Sequence, residues 1–243
     1  MFVNKTSYLD LFRNRKVFVI GPNFTLDDWT VNAIQESHYL IILNKSYRLS
    51  KFKELSQFGK EIILAHCMDQ REDVGGGMIN CSEILDVGIR KVFLPLFNYD
   101  SDSLCFRFLL HSKFRLSLIR VDESSFLSWK KQNMGFTPNT GTAVIQSLVR
   151  SDAQKIYFTG MDFFRSGYNS NYKQNLGTTR DIINYIEATG EHNPDVDFLV
   201  TRDLIGKYNF SLHPDISSFF KQEFRQIFYL KNQKVIQIIK SLT

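Results

Sequence analysis

Cysteine is scarce in this chain, and its few copies are not spaced for structural chemistry. Cys67, Cys81 and Cys105 are odd in number, and no Cys-x-x-Cys pair is present. A disulfide-stapled secreted fold and a zinc ribbon both need paired cysteines, so the sequence argues against both classes. We therefore expect a cytoplasmic protein with reduced thiols.

Long apolar runs are missing as well. Residues 1–16, MFVNKTSYLDLFRNRK, contain no continuous apolar stretch of the kind that forms a signal peptide. No later segment reaches the roughly 20 apolar residues that a bilayer-spanning helix needs. The sequence therefore predicts a protein that is neither exported by a signal peptide nor inserted across a membrane.

The dinucleotide-binding pattern Gly-x-Gly-x-x-Gly is absent, and no internal repeat occurs, but short β-branched runs alternate with helical patterns. This alternation predicts a single Rossmann-like α/β domain over residues 1–243, with a mostly parallel sheet flanked by helices. A chain of 243 residues with 43% hydrophobic content is large enough for one full core. The expected strands are residues 16–20, 39–43, 61–66, 91–95, 116–120, 156–159 and 208–212.

The most informative stretch lies between residues 137 and 164. The breaker-rich turn Pro138-Asn139-Thr140-Gly141 offers Asn139 or Thr140 as the cap of a helix, and a short strand ends at Gly160-Met161-Asp162. Exposed N–H groups at a helix N-terminus suit an anion such as a phosphate. Ligands bind at the carboxyl edge of parallel sheets, so Asp162 is a candidate partner of a sugar hydroxyl.

This stretch, PNTG followed by YFTGMDFF, resembles the small motif of the CMP-sialic-acid-dependent sialyltransferases. It is similar to the Pro-Ser/Thr-Thr-Gly form of the animal enzymes and to the Thr-Ser-Gly…Ser-Gly-Ile-Asp-Phe-Tyr form of the bacterial branch. The resemblance implies an inverting glycosyltransferase that moves sialic acid from CMP to a hydroxyl of a glycan acceptor, such as a surface lipooligosaccharide or a capsule. It implies neither a metal nor another cofactor, and it places Gly160, Asp162 and the Asn139–Gly141 turn at the donor.

Two further strand ends are expected to contact the nucleotide. The loop Gly21-Pro22-Asn23 follows the first strand, and the second strand ends at Asn44. The bacterial sialyltransferases have Gly-Asn-Gly-Pro-Ser-Leu in the first loop. Gly21 matches a glycine of this family loop, whereas Asn23 differs from the family residue, although its side-chain amide can still contact CMP. The family has an asparagine that contacts the nucleotide at the position of Asn44. Without this resemblance, an asparagine after a strand equally fits a simple turn.

Residues 165–190 form a polar, tyrosine-bearing segment that we predict to be a lid over the substrate. In the bacterial enzymes two tyrosine hydroxyls in this region bind the leaving phosphate. Phe164 occupies one of these positions and has no hydroxyl to donate. Tyr168 and Tyr172 are candidates for the other position.

Two histidines are candidate site residues. Gly190-Glu191-His192 resembles the Gly-His pair that supplies the general base of the bacterial enzymes, with one residue inserted and with Asp197 five residues further on. A histidine suits proton transfer near neutral pH. His213 follows the last strand, where it is expected either to contact phosphate or to begin the next helix.

Three other interpretations stay open. A transferase of Kdo, or of another CMP-activated sugar, fits the same residues. A metal-dependent transferase of sugar diphosphates fits either Asp-x-Asp triplet, residues 100–102 or 195–197. The net charge of +5 also fits a non-catalytic protein that binds nucleic acid or a membrane, but no nucleic-acid recognition motif or concentrated basic stripe is present.

Residues 217–243 mix aromatic and aliphatic residues with lysine and arginine. The pattern predicts a core-packing helix followed by a segment with a solvated basic face. The alternative is peripheral contact with an anionic inner membrane, which would place the protein next to a lipid-linked acceptor.

Overall fold

A computed structural model of the protein describes residues 7–67, 79–96, 108–163, 178, 180, 181, 184 and 192–221. This part of the chain forms a seven-stranded sheet in which every paired strand is parallel to its neighbour. The strand order is β5-β4-β3-β2-β1-β6-β7. The strands are β1 (Lys16–Ile20), β2 (Tyr39–Leu43), β3 (Glu61–Ala65), β4 (Lys91–Leu94), β5 (Ser117–Arg120), β6 (Lys155–Thr159) and β7 (Phe210–Leu212).

This architecture confirms the predicted Rossmann-like α/β fold with its mostly parallel sheet. The helices are α1 (Tyr8–Phe12), α2 (Asp28–Glu36), α3 (Ser50–Lys53), α4 (Cys81–Asp86), α5 (Glu123–Gln132), α6 (Thr140–Arg150), α7 (Pro194–Lys207) and α8 (Pro214–Lys221). Short 3-10 helices cover Asn44–Arg48 and Glu54–Phe58. None of the helices in the described ranges is long and apolar enough to cross a bilayer.

The sheet buries both of its faces. Alternate residues of β1 point to opposite sides, so Val17 and Val19 enter one core cluster while Phe18 and Ile20 enter the other. Helices α1, α5, α6, α7 and α8 contribute to the first cluster, and α2, α3 and α4 contribute to the second. Burial on both faces explains why the strands appear in the sequence as continuous apolar runs.

One helix begins later than the sequence pattern suggests. The pattern predicts Thr25 as the cap of a helix starting at Leu26, but the helix α2 begins at Asp28 and its cap is Asp27. The Asp27 Oδ1 accepts a hydrogen bond from the Thr30 amide at 2.9 Å. A carboxylate at the cap also interacts favourably with the positive end of the helix, which explains the shift.

The loops after β1 and β6 touch each other through two glycines. The Gly21 amide donates to the Thr159 carbonyl at 2.8 Å, and the Asn23 amide donates to the Gly160 carbonyl at 3.1 Å. A Cβ atom on Gly21 would lie 2.2 Å from the Gly160 oxygen, so no larger residue fits without backbone movement. Gly160 itself has φ +73°, a conformation that favours glycine.

We predict that Gly21→Ala destabilises the fold by about 1–3 kcal/mol, because the added methyl group overlaps the backbone of the neighbouring loop. Gly206→Ala is the matched control, since Gly206 is exposed in α7 and a Cβ atom added there would meet nothing within 4 Å. The control should be neutral or stabilising by up to about 1 kcal/mol. Urea unfolding of both variants measures the difference, and equal stabilities would contradict the proposed loop contact.

Candidate functional site

The order of the strands reverses between β1 and β6, so the chain leaves these two neighbouring strands in opposite directions along the sheet. Loops that separate in this way leave a crevice at the carboxyl edge, which is where open α/β sheets bind ligands. A cavity of about 360 Å³ lies at this edge. Its walls include Asn23 and Thr25 after β1, Gly160, Met161 and Asp162 after β6, and His213, Asp215 and Phe219 beyond β7.

Four of the residues singled out in the sequence line this one cavity: Asn23, Gly160, Asp162 and His213. They come from three strand ends that are separated by up to 190 positions along the chain. Gly21 does not line the cavity, but it lies directly against Gly160, which does. The parallel sheet thus brings together polar groups that the sequence placed only at separate strand ends.

The turn Asn139–Gly141 begins α6 next to this cavity. The Asn139 Oδ1 accepts a hydrogen bond from the Thr142 amide at 2.8 Å, so Asn139 and not Thr140 is the cap of the helix. The Gly141 backbone packs against Met161, since an added Cβ would lie 2.2 Å from the Met161 sulfur. Met161 also lines the cavity, so it connects the N-terminus of α6 with the crevice.

A buried carboxylate fixes the position of this turn. Asp197, in the first turn of α7, is 1% exposed. It accepts hydrogen bonds from the Asn139 side chain at 2.9 Å, from the Asn139 backbone amide at 3.2 Å and from the Asn133 side chain at 3.0 Å. The Asn139 side chain therefore has a double role, because it caps α6 with its oxygen and binds Asp197 with its nitrogen.

His192 lies on the other side of the same carboxylate. Its Nδ1 is 3.9 Å from the Asp197 Oδ2, which is an ion-pair distance when the imidazole is protonated. The imidazole is 21% exposed, so one part of it faces solvent while Nδ1 faces the protein. Asn193 caps α7 and accepts from the Asp195 amide at 3.0 Å, which fixes the backbone next to His192.

Burial raises the pKa of Asp197 to about 7, although the hydrogen bonds from Asn139 and Asn133 favour its charged form. A carboxylate with this pKa changes charge near neutral pH. The charge that His192 experiences therefore depends on pH in the physiological range.

Asn44 follows β2 directly and is not among the described residues that line the cavity. It adopts the left-handed backbone conformation with φ +48°, a region that asparagine tolerates better than most residues. Its Oδ1 is buried and has no hydrogen-bond partner within the described residues. An unmatched buried acceptor is the kind of group that a ligand donor satisfies.

Several predicted features lie outside the described residues. These are Phe164, Tyr168 and Tyr172, the predicted lid at 165–190 apart from residues 178, 180, 181 and 184, the Asp-x-Asp triplet at 100–102, and the basic aromatic segment beyond Lys221.

The second Asp-x-Asp triplet is not arranged as a metal site. Asp195 and Asp197 are both buried in the first turn of α7, and residues two apart on a helix point in different directions. Asp197 already receives hydrogen bonds from Asn133 and Asn139. Across the described ranges, no three His, Cys, Asp or Glu side chains are grouped in a way that could hold a metal ion.

Sequence reasoning missed the wall that α8 contributes. Asp215 and Phe219 line the cavity, and His213 binds Asp27 through a contact of 2.7 Å between Nε2 and Oδ2. The sequence did hold a clue to this wall, because α8 begins directly after the last strand and so starts at the carboxyl edge of the sheet. The partner Asp27 could not be found, because it is 186 positions away from His213.

Neither a scan of protein-family models nor a search of curated proteins found a match to this chain.

We predict that Asp197 makes the fold less stable as the pH rises through about 7. Its pKa is raised from an ordinary 3.8 to about 7 on folding, so the folded chain holds this proton more tightly. The raised pKa of Asp197 therefore adds on the order of a few kcal/mol to the free energy of unfolding. This contribution is complete below pH 4 and is lost as the pH rises through about 7. The pKa values of Asp27 and Asp122 are both lowered to about 2, so these two carboxylates affect the pH dependence of stability only in acid.

Unfolding free energies at pH 5.5 and 8 test this expectation. Asp197→Asn should flatten the pH dependence and lower the stability at pH 5.5 by about 1–3 kcal/mol, because an amide nitrogen faces the donors of Asn133 or Asn139. Asp203→Asn, on the exposed side of the same helix, should leave the profile unchanged. An identical profile in wild type and Asp197→Asn would refute the assignment.

Proposed function

We propose that this protein is a CMP-sugar-dependent glycosyltransferase that moves sialic acid to a hydroxyl of a glycan acceptor, with inversion at the anomeric carbon. The proposal places the reaction on the cytoplasmic side of a bacterial inner membrane. It rests on the sialyltransferase-like motif of the sequence and on the way in which the motif residues meet at one sheet edge.

The observation that best supports the proposal is that Asp197 contacts both the turn predicted to bind the donor phosphate and the histidine predicted to act as the base. Asp197 holds Asn139, which caps the helix that would bind the donor phosphate, and it lies 3.9 Å from His192, the candidate base. Asn139 and His192 are 53 positions apart in the sequence. An arrangement that couples a phosphate site to a base is what a transfer from a nucleotide sugar requires.

In the proposed reaction, His192 removes the proton of the acceptor hydroxyl through its Nε2. The hydroxyl oxygen forms a bond to the anomeric carbon as the bond between that carbon and the phosphate oxygen breaks, and CMP departs with the electron pair. The positive charge that develops on the imidazole faces the Asp197 carboxylate. Asp197 therefore acts as a positioning and charge-stabilising residue for the base.

The donor is proposed to lie across α6 and the cavity. The Thr142 amide is already bonded to Asn139, which leaves the amides of Thr140 and Gly141 at the helix N-terminus as donors to the phosphate. The cavity next to them, with Asn23 and Asp162 in its wall, offers hydrogen-bonding groups to the base and ribose. Its volume of about 360 Å³ fits the size range of small-ligand sites.

A thermal-shift experiment with CMP, CDP, UDP and GDP, each with and without Mn²⁺, tests the nucleotide. We expect CMP to raise the melting temperature without metal, because a ligand that binds only the folded chain stabilises it by mass action. Asp162→Ala should reduce the shift, while Asp203→Ala on an exposed face of α7 should not. Stabilisation only by a diphosphate with Mn²⁺ would favour a metal-dependent transferase, and no shift with any nucleotide would favour a non-catalytic binding protein.

The role of His192 is tested by its alanine variant. His192→Ala should lower the rate of transfer from CMP-sialic acid by about 10²- to 10⁴-fold, the usual contribution of a general base. Its affinity for CMP should stay within about twofold of wild type, since His192 acts on the acceptor. His111→Gln, a change at an exposed histidine, is the control. Parallel assays with CMP-Kdo identify the sugar, and full activity of His192→Ala would exclude it as the base.

A further inference from the structure

The cavity between the β1 loop, the β6 loop and α8 has acidic walls. Asp162 and Asp215 are among the described residues that line it, and none of these residues is lysine or arginine. The Asp215 side chain is 82% exposed, so a ligand can reach its carboxylate. An ionised carboxylate only accepts hydrogen bonds. This wall therefore favours a ligand group that donates hydrogen bonds, and it disfavours a group that is negatively charged or only accepts them.

The backbone of Asp215 is fixed at the start of α8. Its amide nitrogen lies 3.3 Å from the Nδ1 atom of His213, which is 5% exposed. The other ring nitrogen of His213, Nε2, lies 2.7 Å from the Asp27 Oδ2. The Trp29 ring packs edge-to-face with the same imidazole, and the ring centres are 5.2 Å apart. The carboxylate of Asp215 is thus attached to a fixed point of the cavity wall.

An apolar surface lies one helical turn beyond Asp215. Ile216 and Phe219 line the same cavity. The Phe219 ring is held by other aromatic rings, because it is parallel to Phe163 at 6.4 Å between ring centres and edge-to-face with Phe198 at 5.1 Å. Residues four apart on a helix are neighbours on its surface, so Phe219 lies next to Asp215. A positioned aromatic ring beside a carboxylate suits a flat, polar-edged ring such as a nucleobase.

The proposed phosphate site and the α8 wall lie at opposite ends of the crevice. The N-terminus of α6 is close to the end of β2, because a Cβ atom added to Gly141 would be 3.2 Å from the Leu43 Cδ1. The α8 wall follows β7, and β1 and β6 separate β2 from β7. Neighbouring strands are about 4.8 Å apart, so these two ends are roughly 14 Å apart. A nucleotide held by its phosphate at α6 extends along the crevice, with its base towards Asp215.

We propose that Asp215 selects the nucleobase, because its carboxylate accepts a hydrogen bond from the exocyclic amino group of cytosine while the base packs against Phe219. Uracil has a carbonyl oxygen in place of this amino group. That oxygen would face the carboxylate as a second acceptor, with no proton between them. This inference rests on the proposed function, because it assumes that the cavity holds the nucleoside part of the donor.

The other polar groups of the cavity do not distinguish the two bases. The Asn23 amide and the Thr25 hydroxyl can each donate or accept, so they suit the C2 carbonyl that cytosine and uracil share. Asp162 belongs to the β6 loop, and its carboxylate suits the ribose hydroxyls, which both nucleotides also share. Selection against uracil therefore depends on Asp215.

Calorimetric affinities of the full chain for CMP and UMP at neutral pH test this assignment. We expect wild type to bind CMP at least about fivefold more tightly than UMP, because UMP lacks the donor to a charged acceptor. Asp215→Asn should reduce this ratio to about twofold or less, since the asparagine amide can turn its oxygen to cytosine or its nitrogen to uracil.

Two matched variants control for general effects on the site. Asp162→Asn should weaken CMP and UMP alike and leave the ratio unchanged, because it changes a carboxylate of the same cavity that contacts the shared ribose. Asp203→Asn, on the exposed side of α7, should change neither affinity. A variant that is merely less stable lowers both affinities together, so only a loss of base recognition changes the ratio.

Equal affinities of wild type for CMP and UMP, or a preference for CMP that survives Asp215→Asn, would overturn the inference. Tighter binding of GMP than of CMP would also overturn it, because guanine presents two adjacent donors to a carboxylate. Transfer from CMP-sialic acid, measured in parallel, tests the enzyme separately. An Asp215-dependent preference for CMP without transfer would reject the glycosyltransferase and keep the role of Asp215, whereas transfer without this preference would do the reverse. Binding of neither nucleotide would reject both.

Discussion

The buried Asp197 carboxylate joins the end of α5, the start of α6 and the loop before α7. It accepts hydrogen bonds from Asn133 and Asn139, and it lies beside His192. A buried charge is costly unless it is hydrogen-bonded, so these donors are required for the carboxylate to be tolerated. The same requirement fixes the start of α6 against the crevice.

The crevice depends on close backbone contact between the loops after β1 and β6. Gly21 and Gly160 allow these loops to touch, and the hydrogen bond from Asn23 to the Gly160 carbonyl holds them together. Because the strand order reverses here, the helices that follow diverge and leave the cavity open. Its third wall comes from α8, whose first turn is held by His213 and, through His213, by Asp27.

The fold was predictable from the sequence because both faces of the sheet are buried. The strands β1 to β6 each contain a short buried run of β-branched or other apolar residues, whereas β7 at the edge is Phe-Ser-Leu and only half-buried. The helix ends were less predictable. Asp27 replaced the expected Thr25 as the cap of α2 because the carboxylate binds both the Thr30 amide and His213.

The local sequence pattern was enough to predict that Asn23, Gly160, Asp162 and His213 follow strands, and parallel strands must end at one edge of the sheet. Which of these strand ends are neighbours could be seen only in the folded chain, because strand order depends on how the connecting helices pack and not on local propensity. For the same reason, the partners of Asp197 and His213 became visible only in the folded chain. Hydrogen bonds between residues 58 or 186 positions apart leave no periodic signal in the sequence.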